Sequence, residues 1–143
     1  MVSFFQAIIL SVIQGITEWL PVSSSGHLAL VQDFFGLEGL SFVVYLHFAS
    51  VFAILIVFWK DIFSLLNFKR ENIKYILLIL IALIPAGVVG IVFRDTIEGF
   101  FANILYLGVF FMFSGIVIYS TKFAKKRKEK IDWGDSIFIG IFQ

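Results

Sequence analysis

Cysteine is absent from the 143 residues. That excludes disulfides and thiolate metal sites and leaves the compartment undecided. Charge is scarce: Asp, Glu, Lys and Arg make up 15% of the chain, against about a quarter in average soluble domains. With a net charge of +1, bulk charge points to no particular partner. Proline occurs only at Pro21 and Pro85. The first ends an apolar stretch; the second lies inside one, where it is expected to kink a helix and free a carbonyl. No Lys or Arg precedes Lys60, and no small-residue cleavage site follows the first apolar stretch. This is not the pattern of a secretory signal, so residues 1–36 are read as mature structure.

What remains is overwhelmingly apolar. Hydrophobic residues make up 60% of the chain and aromatics 18%, with mean hydropathy +1.01. These values belong to an integral membrane protein. Four stretches stand out: Val2 to Leu20, residues 42–59, residues 73–93 and residues 101–120. As helix, each of the last three is long enough to cross a hydrocarbon core of about 30 Å. Trp59 with Lys60, and Tyr119 before Lys122, read as interfacial ends. Ala86 and Gly90 form a small-xxx-small pair that permits close helix contact. His47 reads as a packed, hydrogen-bonded histidine, with a site role if it faces His27. Arg94 and Asp95 read as an interfacial pair, and Glu98 and Asn103 as facing solvent or a helix end.

The basic residues alternate between loops. Lys60, Lys69, Arg70 and Lys74 lie between the second and third stretches, Arg94 alone between the third and fourth, and Lys122 through Lys130 follow the fourth. By the positive-inside rule the loops at 60–74 and 121–135 are cytoplasmic and residues near Leu40 are external. The basic run after residue 121 is a topology signal that touches anionic lipid; a nucleic-acid role does not fit a juxtamembrane run with no binding fold. Residues 1–37 admit two arrangements. The first segment spans once, or it enters from outside, turns at residues 21–26 and returns as a re-entrant hairpin. The hairpin is favoured, because Leu28 to Leu37 is too short to span and long enough for a half-helix. Ile8 to Gln14 also resembles Ile137 to Gln143 in pattern. A final apolar segment of seven residues cannot cross a bilayer, so the expectation is a second repeat, begun at 134–143 and cut short.

One run is unlike the rest: Gln14-Gly-Ile-Thr-Glu18-Trp-Leu-Pro21-Val-Ser23-Ser24-Ser25-Gly26-His27. Gln14 and Glu18, four apart, share a helix face. Pro21 and Gly26 bound a non-helical loop. Ser23, Ser24 and Ser25 fall where the N-cap of the next half-helix belongs, and that helix end offers free N–H groups to an anion. The set supplies a carboxylate, hydroxyls and an imidazole, which suits a phosphate ester or pyrophosphate in a greasy setting. Taken singly, each has a bland reading: a helix–helix hydrogen bond, a cap, a headgroup-facing histidine. Gathered in 14 residues they favour function, since intramembrane ionisable groups are expensive.

The run resembles the undecaprenyl-diphosphate phosphatase (bacitracin-resistance) family. Gln14-x-x-x-Glu18 fits its (Glu/Gln)-x-x-x-Glu element, and the likeness continues through Leu20-Pro-Val-Ser-Ser-Ser-Gly-His27. It extends more loosely over Leu46-His47, Phe58-Trp59-Lys60, Ile84-Pro85-Ala86 and Phe93-Arg-Asp-Thr-Ile97. The resemblance implies an all-α, polytopic helical membrane protein, the first half of an inverted repeat with an N-terminal re-entrant hairpin. It implies removal of the terminal phosphate of undecaprenyl diphosphate, recycling the lipid carrier for peptidoglycan synthesis at the external face of the bacterial plasma membrane. A divalent cation, Mg²⁺ foremost, would be held by Glu18 and Gln14. Glu18, His27 and Ser24 would be catalytic; Gln14, Ser23, Ser25 and Gly26 would bind substrate. Which of the serine and the histidine is the nucleophile stays open, as does a homodimer. Gln14 stands where many members carry Glu. The family's second motif, Pro-Gly-x-Ser-Arg-Ser, does not occur in the chain, so the 143 residues alone are expected to lack full activity. The rival classes are a polyprenyl-phosphate transporter and a non-catalytic fragment.

Overall fold

The computed structural model describes residues 2–37, 41–67, 69–123 and 131–142. Leu40, the basic run Lys125 to Lys130 and the closing Gln143 lie outside them. The described residues are helical, with no strand among them: α1 (Phe4–Thr17), α2 (Ser24–Phe34), α3 (Ser41–Val57), α4 (Trp59–Leu65), α5 (Arg70–Val92), α6 (Arg94–Phe101), α7 (Ile104–Ser120) and α8 (Trp133–Phe142), with a 3₁₀ turn at Thr121–Phe123.

Among the described residues two helices are long and apolar enough to cross a membrane, α5 and the run Ile104–Phe123; α3 and α4 taken together make a third candidate. In each of the first two, only 6% of the most apolar window is buried within the protein. In water, so much exposed Leu, Ile and Phe would aggregate; in lipid it is solvated. The second predicted stretch is interrupted where Phe58 leaves helical geometry (φ −101, ψ 19). The helix of the third runs unbroken through Pro85. At 14 residues, α1 reaches only about 21 Å, too short to span alone. Ser3 and Gln6 start it with a capping box: Gln6 N donates to Ser3 Oγ (3.3 Å) and Ser3 N to Gln6 Oε1 (2.9 Å).

The helices fall into two compact units. The first comprises Met1–Val57 and Gly99–Ala124. Its core is Leu10 of α1, Leu28 of α2, and Val43 and Leu46 of α3, with Ile13, Val31 and Phe42 packed against them. On α1 the buried positions are Leu10, Gln14 and Thr17, a spacing of four and three that makes one face. Beyond α2, Gly36 takes positive φ (61°) and Leu37 N donates to Gln32 O (2.9 Å), closing the helix with a left-handed glycine. Lys122 stands 6.0 Å from the Tyr119 ring.

The second unit comprises Phe58–Glu98 and Lys125–Gln143. Here α5 packs on α8. They come close at Ala82 and Gly140, where a Cβ on Gly140 would collide with the Ala82 carbonyl. Gly90 faces open space, so the small pair Ala86/Gly90 is not where these helices meet. Asn72 Nδ2 closes the α4–α5 turn on the carbonyls of Ser64 (2.6 Å) and Asn67 (2.9 Å). Lys60 lies 5.8 Å from the Trp59 ring, an aromatic–cation pair suited to the membrane interface. Arg94 Nε donates to Glu98 Oε1 (2.9 Å), one turn along α6, instead of pairing with its neighbour Asp95. Adjacent helical residues point about 100° apart, whereas i and i+4 side chains meet.

Candidate functional site at the α1–α2 turn

The polar run folds into one cluster in the first unit, a helical turn beyond the core. Leu10 leads to Gln14 on α1, Leu28 follows His27 on α2, and Val43 and Leu46 lead to His47 and Ser50 on α3. α1 ends at Thr17 with Glu18 as its C-cap, its N–H still donating to Gln14 O (3.0 Å). The chain then turns and restarts at Ser23. Of the three serines, Ser23 is the N-cap: Gly26 N donates to its Oγ (3.1 Å). Gly26 is buried under Phe111 of α7; a Cβ there would sit 2.9 Å from Phe111 Cζ. The Phe111 ring also lies against His27, centroids 4.6 Å apart.

Proton accounting fixes how these groups face. Ser50 Oγ donates to Leu46 O (3.1 Å). A hydroxyl has one proton, so Ser50 can only accept from Gln14. Gln14 Nε2 donates to both Ser50 Oγ (3.1 Å) and Glu18 Oε2 (3.0 Å). Two acceptors therefore set the amide orientation, and Gln14 Oε1 is left buried with no hydrogen-bond partner. Glu18 Oε2 takes a second bond from Ser24 Oγ, at 2.7 Å, a short hydroxyl-to-oxygen hydrogen bond. The Ser24 proton is thus turned toward the carboxylate and its lone pairs away from it.

Both histidines are oriented by backbone carbonyls. His27 Nδ1 lies 2.8 Å from Ser23 O, and His47 Nδ1 lies 2.9 Å from Val43 O. A carbonyl can only accept, so Nδ1 carries the proton in each ring and Nε2 is the free base of the neutral form. His47 Nε2 meets Ser25 Oγ at 3.4 Å.

The run therefore joins Gln14, Glu18 and Ser24 by hydrogen bonds and Ser23 with Gly26 by the cap. Ser25 turns to His47, and the His27 ring is held by Ser23 O and Phe111, not by the carboxylate. Reading that run alone missed Ser50 and placed His47 only loosely. The signal was present: Val43, Leu46, His47 and Ser50 are spaced 0, 3, 4 and 7, one face of a helix, and two polar residues on that face of an apolar stretch mark the side turned to the cluster.

The oxygen donors of the cluster bear on a divalent cation. Gln14 Oε1 is an orphaned hard oxygen, beside a carboxylate whose Oε2 is already engaged. Mg²⁺ is held through one or two carboxylates and fills its shell with water and substrate phosphate, so Glu18 fits, with the neutral Gln14 oxygen, on the amide whose Nε2 faces Glu18, as a weaker neighbour. Among the described residues no group of three or more His, Asp or Glu side chains surrounds a common point, so these residues offer no all-protein cage.

Residues 7–143 match the family described as Bacitracin resistance protein BacA. The chain is 42% identical to an undecaprenyl-diphosphatase of Parabacteroides distasonis, over 99% of this chain and 57% of that protein. It is 41% identical to one of Bacteroides fragilis (98% and 56%) and 36% identical to one of Halothermothrix orenii (97% and 56%). The chain spans about half the length of the curated relatives it matches. No solved structure matches it. The family match over nearly the whole chain agrees with the polar run, the apolar helices and the cluster they build: this chain belongs to the BacA bacitracin-resistance family.

Proposed function

We propose that this chain supplies one half of the active site of a membrane phosphatase that cleaves the terminal phosphate from undecaprenyl diphosphate. The observation that carries the reading is the Ser24–Glu18 bond of 2.7 Å. Ser24 gives its proton to a carboxylate and presents its lone pairs outward, the pairing of a hydroxyl with an adjacent base that activates a nucleophile. Ser24 Oγ bonds to the terminal phosphorus as the bridging P–O bond breaks. The hydroxyl proton passes to Glu18, and the lipid monophosphate leaves. Water then attacks the phosphoserine phosphorus, the P–Oγ bond breaks, Ser24 Oγ takes its proton back from Glu18, and phosphate leaves. His27 Nε2, the unprotonated nitrogen of a ring held by Ser23 O, is the base available for that water. The N–H groups at the start of α2 favour the anionic head.

Mg²⁺ would be held by Glu18 and Gln14 Oε1; when bound it neutralises charge on the phosphate oxygens. In this reading residues 1–37 form a re-entrant hairpin whose tip opens to the external face of the bacterial inner membrane, as the distribution of Lys and Arg supports. Residues 134–143 begin a second, inverted repeat.

Phosphate release from undecaprenyl diphosphate in micelles, by this chain together with a second half that carries Pro-Gly-x-Ser-Arg-Ser, tests this. Release that disappears in Glu18→Ala and in His27→Ala supports cleavage. Lipid bound and moved across a bilayer with no release supports the rival reading, a polyprenyl-phosphate carrier, which broken helices also suit.

A further inference from the structure

We propose that Ser25 is a second activated hydroxyl in this chain, with His47 as its proton acceptor. Ser25 Oγ lies 3.4 Å from His47 Nε2, and His47 Nδ1 is held by Val43 O at 2.9 Å. This is a nucleophile, a base and a third group orienting the base, the arrangement that activates a hydroxyl; its first contact is commonly loose before substrate enters. The carbonyl is a firm anchor. Val43 is buried in the core, as is Leu46 beside the histidine. Ser24 and Ser25 are the first two residues of α2. Their side chains leave the helix about 100° apart, so each reaches a different base, Ser24 the Glu18 carboxylate and Ser25 the His47 imidazole. Both sit at the positive end of the helix, which favours a developing alkoxide.

The electrophile this second pair takes is tetrahedral phosphorus bearing a leaving group. Ser25 Oγ–P forms, the bond from phosphorus to the leaving group breaks, and the hydroxyl proton moves to His47 Nε2. The inference goes beyond the phosphatase reading and does not depend on Ser24.

A long-chain alkyl fluorophosphonate added to the 143-residue protein in micelles tests it, with adducts located by tandem mass spectrometry. In this probe fluoride is the leaving group. Ser25 should be modified in wild type and in Ser24→Ala. His47→Gln separates a base from a mere spacer, because the amide oxygen still accepts the Ser25 hydrogen bond and cannot take its proton. Ser25 labelling should fall about a hundredfold in that variant, with Ser24 labelling kept. An unmodified Ser25 in Ser24→Ala overturns the proposal. So does equal labelling in His47→Gln, or loss of both labels together, which would make His47 structural. Labelling of Ser25 with Ser24 never modified would sink the Ser24 mechanism and leave this one standing.

Discussion

Ser24 Oγ donates to Glu18 Oε2 over 2.7 Å, across the turn that separates α1 from α2. Neither residue would reach the other along one continuous helix, since they stand six apart. The end of α1 at Thr17 and the start of α2 at Ser24 bring them together across the turn. If the pair acts as one unit, Ser24→Ala and Glu18→Gln should each lower phosphate release by about 10²–10⁴-fold. The double variant should be no worse than the worse single one, because residues that act as a unit are not additive. Multiplied losses in a double-mutant cycle would separate them.

Ser23 does structural work beside them. Ser23→Ala removes the acceptor of Gly26 N and should cost about 1 kcal/mol. The Gly26 amide should then exchange faster with solvent. Ser23→Thr should restore protection. His27 should keep its orientation in both variants, because its partner is the Ser23 backbone carbonyl.

Gln14 is the place to test the cation. Replacing it with Glu puts a second carboxylate beside Glu18, and Mg²⁺ affinity by calorimetry should rise about tenfold as ligand charge increases. Gln14→Leu removes the orphaned oxygen and should weaken binding. Affinity unchanged in both variants would remove Gln14 from the cation site.

In the second unit, Gly140→Val should destabilise by about 1–3 kcal/mol, since its Cβ meets backbone that cannot swing aside. Gly90→Ala meets open space and should be neutral, or stabilising by up to about 1 kcal/mol through helix propensity. Unfolding in micelles compares the two.

Much of this was legible along the chain. The long apolar runs became α5 and α7 because nothing but helix satisfies a backbone in lipid. The pairing of Gln14 with Glu18 followed from their spacing, and the cap before α2 from its serines. Trp59/Lys60 and Tyr119/Lys122 became ring–cation pairs. Other features depend on which helices meet. Ser50 and His47 share one face of α3 by their spacing, but that this face meets Gln14 and Ser25 depends on how the helices pack. Gly140 against Ala82 is a choice among several small residues, and the sequence offered Ala86 and Gly90 equally well. The break at Phe58 falls inside an apolar run with no proline or glycine to announce it.

The central claim is that the α1–α2 turn grips a diphosphate head presented by a lipid. Calorimetric binding of farnesyl diphosphate to the 143-residue protein in micelles, set against farnesol, tests it most directly. The account predicts that the diphosphate binds and the alcohol does not, with affinity falling in His27→Ala and Ser24→Ala together. Equal binding of alcohol and diphosphate, or a diphosphate affinity untouched by His27→Ala and Ser24→Ala together, would contradict it.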